Sequence, residues 1–135
     1  MSKSLRASRA IIDAELVERL ESLAAAAMER FPEAAYPLVT KLSRARLVPA
    51  SRLPPERATI GSTVRYRDEQ SGREQVVTLA YPESADISKG IVSVLTPVGV
   101  ALLGTAPGDA CRWETRAGDE RSAGVLSVEP TAATV

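Results

Sequence analysis

The stretch TPVGVALLG, residues 96–104, decides how the chain is read. Thr96 carries the hydroxyl an N-cap needs. Pro97 stands at the first helical position, where its missing N–H costs nothing. Val98, Ala101, Leu102 and Leu103 are apolar at helical spacing, and Gly104 stands where a left-handed C-cap is wanted. Segments on both sides read as strands. The pattern predicts one short buried helix set into a β scaffold.

The strands follow from period-two alternation and turn residues. STVRYRD (62–68) puts Val64 and Tyr66 on one face, with Arg65 and Arg67 on the other. Gln70, Ser71 and Gly72 form a turn into EQVVTLAY (74–81), which Pro82 closes. GIVSVL (90–95) is a third strand that feeds the helix, and ACRWE (110–114) is a fourth. Ala117, Gly118 and Asp119 turn the chain into SAGVLSV (122–128), a fifth. Asp109 supports the turn after the small helix, and Trp113 reads as core. The sum is an antiparallel sheet with one small helix on one face, an α+β arrangement.

Upstream the period is helical. Residues 13–30 form the clearest helix, with Asp13 as cap and Ile12 and Val17 in the staple positions. Leu16, Leu20, Leu23, Ala24, Ala27 and Met28 follow at three- and four-residue steps. A second helix is expected from Pro37 toward Leu47, with Lys41, Arg44 and Arg46 exposed and Pro49 as the stop. The short connection, Pro32 to Pro37, favours a short antiparallel helical hairpin. At 1.5 Å per residue its arms are about 25 and 15 Å long. The expected organisation is a helical hairpin at 1–48, a stiff proline-bearing linker at 49–59, a sheet domain at 60–130 and a frayed tail at 131–135.

Composition narrows the chemistry. The 135 residues carry 17 basic and 17 acidic side chains, so no polybasic surface for nucleic acid is implied. Histidine is absent, which removes the usual base near neutral pH and the commonest metal ligand. The one cysteine, Cys111, cannot form an internal disulfide and reads as a small core residue. No apolar run approaches the roughly 18 residues of a membrane helix. The basic N-terminus lacks the apolar stretch of a secretory signal, so a cytoplasmic protein is expected.

The C-terminal segment resembles the C-terminal domain of the Gre transcription elongation factors. The matching pieces, in order, are Ile60 to Val64, then TPVGVALLG, then Pro107-Gly108-Asp109, then a Trp-bearing strand and an AGDE turn. With the short hairpin and the linker, the pattern looks more specifically like that family's Rnk branch, the regulators of nucleoside diphosphate kinase. The resemblance implies an FKBP-like fold that docks on bacterial RNA polymerase at the rim of the secondary channel. It also implies that any DNA or RNA is met only through the polymerase, and that no membrane, small-molecule substrate or cofactor is involved. The family's polymerase contact includes an Asp-Ser-Pro-like stretch entering the small helix. Here Leu95, Thr96 and Pro97 stand there, with Leu95 departing from the pattern. Val98 completes the expected contact, and Leu102 supports it from beneath.

In Gre factors two acidic residues at the coiled-coil tip help hold a catalytic Mg²⁺ for transcript cleavage. A hard divalent cation needs several converging oxygens. The tip here, Phe31, Glu33 and Tyr36 within FPEAAYP, has one acid, and Glu29 sits almost a turn back. The reading is therefore a polymerase-binding transcription regulator, not an enzyme, without cleavage chemistry or a metal site. Two competing readings are Gre-like cleavage stimulation through Glu33 and FKBP-like prolyl isomerisation. The latter requires an aromatic-lined pocket that one Trp, one Phe and three Tyr scarcely supply.

Overall fold

The computed structural model describes residues 9–130, and the tail expected to fray, 131–135, lies outside them. The chain opens with a three-residue strand, β1 (Ile11–Asp13). Asp13 is the cap its sequence promised, accepting from the Glu15 N–H at 2.8 Å. It starts a 3-10 turn, Ala14–Leu16, that runs into α1 (Val17–Ala27).

The second helix differs from expectation. α2 spans Pro32–Arg44, so it begins at Pro32 and carries Pro37 inside it. Phe31 closes the turn by donating its N–H to the Ala27 carbonyl at 2.8 Å. Pro32 sits at the first position, where a proline is at home. Pro37 costs one backbone bond. Ala34, Ala35 and Leu38 on either side of it are buried, and that burial favours continuing the helix through it. Its other end comes early too, because residues 46–48 leave the helix as β2 (Arg46–Val48), parallel to β1 with Ile12 beside Leu47. A three-residue strand is too short to leave a period in the sequence.

The proline-rich stretch 49–59 is docked on the rest of the chain. It contains a 3-10 turn, Ala50–Arg52. Ala58 is buried, its N–H donates to the Thr105 carbonyl at 2.8 Å, and its own carbonyl accepts from Gly104 at 2.8 Å. Arg57 Nη1 donates to the carbonyls of Arg9 and Gly104 at 3.1 and 3.0 Å.

The sheet has five strands: β3 (Thr63–Asp68), β4 (Glu74–Ala80), β5 (Ile91–Ser93), β6 (Ala110–Glu114) and β7 (Glu120–Glu129). Their spatial order is β5-β4-β3-β7-β6. All five were legible, but the sheet is mixed rather than antiparallel throughout. β5 runs parallel to β4, with Leu79 beside Val92. A tight hairpin would force reversal. The connection 81–90 instead makes two 3-10 turns, Pro82–Ser84 and Ile87–Lys89, and re-enters in the same direction.

The predicted small helix, α3 (Pro97–Leu102), lies between two cores. Val100 and Leu103 belong to a cluster with Leu20, Ala24, Leu38 and Leu42 of the helix pair. Ala101 and Leu102 belong to a second cluster with Val64, Leu79, Cys111 and Val125 of the sheet. α3 and the residue after it thus join the helices to the strands, because Val98, Ala101 and Leu102 share one helical face while Val100 and Leu103 lie on the other.

At the end of β3, Asp68 holds the next turn. Its Oδ1 accepts from the N–H groups of Gln70 and Ser71 at 2.8 and 3.1 Å, and its Oδ2 accepts from Arg121. The Arg121 guanidinium, helped by those two N–H groups, holds the Asp68 carboxyl below the usual carboxylate range, although burial opposes the shift. A carboxyl depressed in the fold stabilises it above the unfolded pKa, about 3.9, and that stabilisation is lost as pH falls through the folded value. Asp68→Asn is expected to be less stable than wild type at pH 7 and to lose less stability on acidification. Urea unfolding at a series of pH values measures this, and parallel profiles would contradict it.

Candidate functional site

The expected contact residues sit on the turn that enters α3. Thr96 locks this turn: its hydroxyl donates to the Ser93 carbonyl at 2.7 Å and accepts from the Gly99 N–H at 3.1 Å. The Leu95 N–H donates to Ser93 Oγ at 2.9 Å. Leu95, Thr96, Pro97 and Val98 remain half-exposed on this rigid support. Leu102 is fully buried, so it supports the turn and offers no surface of its own.

The helix tip lies against that turn. Phe31 and Glu33 line one wall of a cleft of about 510 Å³, and Leu95, Thr96, Pro97 and Val98 line another, with Trp113 and Arg116 also on its boundary. Arg116 holds the tip wall. Its Nε is 3.6 Å from Glu33 Oε2, and its guanidinium stands 5.5 Å from the centre of the Phe31 ring. Trp113 meets Tyr66 edge-on with centroids 6.1 Å apart, which fixes its ring. Tyr36 is 60% exposed and lies outside this cleft, on a larger neighbouring trench that Pro97 also borders. Two groups of residues that were separate in the sequence therefore form one surface.

Lys41 corrects the expected exposed basic face. Its ammonium turns inward and donates to the carbonyls of Val100, Ala101 and Leu103 at 2.6, 2.9 and 2.7 Å. These are last-turn carbonyls of α3, which have no partner within the helix. A cation there also faces the negative end of the helix dipole. Burial pushes the Lys41 ammonium down from 10.5 to about 8, against the raising influence of Cys111 and Asp109. Arg44 and Arg46 stay exposed, as expected.

Cys111 is buried, and burial pushes its thiol up to about 11, consistent with a packing role. Asp109 supports its turn as expected, accepting from the Ala106 N–H at 2.9 Å. Sequence reasoning missed Arg116 and the role of Lys41. Lys41 read as an exposed charge and Arg116 carried no signal, because the partners of both lie far along the chain. Among the described residues, no group of three His, Cys, Asp or Glu side chains is placed to hold a metal ion. Nor is any helix among them long and apolar enough to cross a membrane.

The chain is similar to known proteins. Residues 53–130 match the family described as "Transcription elongation factor, GreA/GreB, C-term". The chain is 36% identical to the regulator of nucleoside diphosphate kinase of Escherichia coli (strain K12) over 92 residues, 68% of each chain. It is 37% identical to transcription elongation factor GreA of Maridesulfovibrio salexigens over 70 residues, 52% of this chain but only 44% of that one. The solved "Prokaryotic transcription elongation factor GreA/GreB from Nitrosomonas europaea" superposes with a TM-score of 0.70 at 37% identity, covering 90% of this chain and 98% of that one. These relatives are named as a regulator and as elongation factors, not as enzymes. With both the C-terminal signature and the overall architecture shared, the chain belongs to the GreA/GreB family.

Proposed function

We propose that this protein is a transcription regulator of the Rnk type that binds bacterial RNA polymerase. It docks at the rim of the secondary channel through residues 95–98 and supplies no transcript-cleavage chemistry. The observation that carries this reading is the locked, half-exposed Thr96–Pro97 turn at the mouth of an apolar cleft. A surface held rigid before binding loses little entropy on docking. Family membership supplies the class of partner.

The tip supports the reading that cleavage chemistry is absent. Glu33 already faces Arg116 at 3.6 Å, and Glu29 lies outside α2, in the turn that joins it to α1. A carboxylate paired with a guanidinium is a poorer ligand for a hard cation. The packed tip also lies beside the docking turn, which supports a role for the helix pair at the channel mouth.

Pro97→Asp puts a charge at the centre of the proposed contact. It is expected to weaken binding to core polymerase by about tenfold or more, equivalent to roughly 1.4 kcal/mol. Competition against a labelled Gre factor measures this, with a thermal unfolding scan to show that the fold persists. Wild-type protein is expected to displace the Gre factor and to leave backtracked transcripts uncut. Failure to bind core polymerase at micromolar concentration would overturn the docking reading, and Mg²⁺-dependent shortening of the transcript would overturn the other half.

A further inference from the structure

Strand β6 forms one edge of the sheet. Its register sets Cys111 against Ala123 and Trp113 against Arg121. The flanking hydrogen bonds reveal which backbone groups point inward. Val125 N–H donates to the Asp109 carbonyl at 2.9 Å, and Thr115 N–H donates to the Asp119 carbonyl at 2.8 Å. Residues 109, 111, 113 and 115 therefore turn their backbone groups toward β7, while Arg112 and Glu114 turn theirs away. The β6–β7 register thus leaves the N–H groups of Arg112 and Glu114 on the outer side of the strand, away from β7.

This edge borders a trench of about 1010 Å³ between β6 and α2, with Val100 and Ala101 of α3 also lining it. An added strand would lie about 4.8 Å from β6, on the side where α2 supplies a facing wall. The trench is also charged. Arg9, Lys41, Arg44 and Arg112 line it against Glu33 and Glu114. Glu33 faces Arg116, Arg112 faces Glu120 at 3.5 Å and the Lys41 ammonium is held by the α3 carbonyls, so the basic lining open to a ligand is Arg9 and Arg44, which have no carboxylate partner among the described residues.

We infer that the β6 edge and the α2 wall form a second docking surface, which takes an extended acidic segment of a partner protein as an added strand. Backbone pairing with Arg112 and Glu114 holds the segment, and the basic lining selects acidic side chains at alternate positions. This inference is distinct from the polymerase reading, which centres on the other cleft, although Glu33, Pro97 and Trp113 border both.

The probe is the end-blocked peptide EVEVEVE, added to full-length isotope-labelled protein. In the free protein the Arg112 and Glu114 amides are expected to exchange openly. Saturating peptide is expected to slow their exchange by about tenfold or more. The basic counterpart KVKVKVK is expected to bind about tenfold more weakly at low salt. Arg112→Pro removes the outward N–H at a position where an edge strand tolerates proline, and it is expected to cost about tenfold in affinity. Arg112→Gln keeps that N–H and is expected to lose less. Should Arg112→Pro not fold, EVEVEVE methylated on alternate backbone nitrogens replaces it and is expected to fail to bind.

The inference is overturned by no binding at about 1 mM peptide, a bare −4 kcal/mol threshold. It is equally overturned by equal binding of the basic peptide, or by Arg112 and Glu114 amides already protected before peptide is added. Leu95→Asp, on the other cleft and outside this trench, is expected to weaken polymerase binding and to leave peptide binding unchanged, so a failure here and a failure of polymerase docking are separable.

Discussion

Replacing Lys41 by methionine is expected to lower the unfolding free energy by about 2–3 kcal/mol. Methionine keeps the length of the stem and deletes only the ammonium. Three carbonyls at the end of α3, those of Val100, Ala101 and Leu103, then lose a charged donor at 2.6 to 2.9 Å. No intrahelical donor replaces it, because the last carbonyls of a helix have none. The loss is large beside the 5–15 kcal/mol that typically separates folded from unfolded chains. Urea unfolding at pH 7 measures it, and a loss under about 0.5 kcal/mol would show that the three bonds contribute little.

The same residue predicts a pH dependence. Burial pushes the Lys41 ammonium down to about 8 in the fold, below the 10.5 of a free lysine. Between these values the unfolded chain binds more protons, so this group's contribution to stability rises with pH. The gap between wild type and Lys41→Met is therefore expected to widen from pH 8 toward pH 10. A gap that narrows would mean that the carbonyls outweigh burial and hold the ammonium charged.

Gly99→Ala is expected to cost a similar amount, about 2–3 kcal/mol, although helix propensity alone predicts a gain of roughly 1 kcal/mol. A Cβ built at Gly99 lies 2.3 Å from the Ser93 carbonyl oxygen, and 2.9 Å from both Thr96 Oγ1 and Val94 Cα. Two of these are backbone atoms, and the third is the cap of α3. None can yield without opening the turn that carries Leu95 to Val98. The variant should thus lose polymerase binding along with stability, unlike Pro97→Asp, which is expected to lose binding alone. Thermal unfolding and the polymerase competition separate the two. A stabilised Gly99→Ala would show that α3 does not press on the 93–96 turn as described.

What could be read from the chain was whatever acts over a few residues. Thr96, Pro97 and Gly104 announced both ends of α3, and Asp13 announced its cap, because caps and fixed φ angles are local chemistry. The five strands of the main sheet showed their alternation, since side chains of a half-buried strand must alternate wherever it pairs. Pro37 misled because proline is welcome at a helix start and tolerated inside one when its neighbours are buried. Nothing near it distinguishes these cases; Ala34, Ala35 and Leu38 do so only once their burial is known.

The site was legible in parts and illegible as a whole. Residues 95–98 and the pair Phe31 and Glu33 were each identified, but nothing in the chain placed them in one cleft. That depends on Arg116 reaching Glu33 and on Lys41 reaching Val100, a contact 59 residues apart along the chain. The direction of β5 and the docking of residues 49–59 have the same character. The amino-acid order alone determined the helices' caps, the strands of the main sheet and the position of the α3 knob, since each is settled by neighbours within a turn or two. Only the tertiary structure decided which charges turn inward and which surfaces meet, because the free energy of burying a charge depends on partners that the fold, not the chain, brings near.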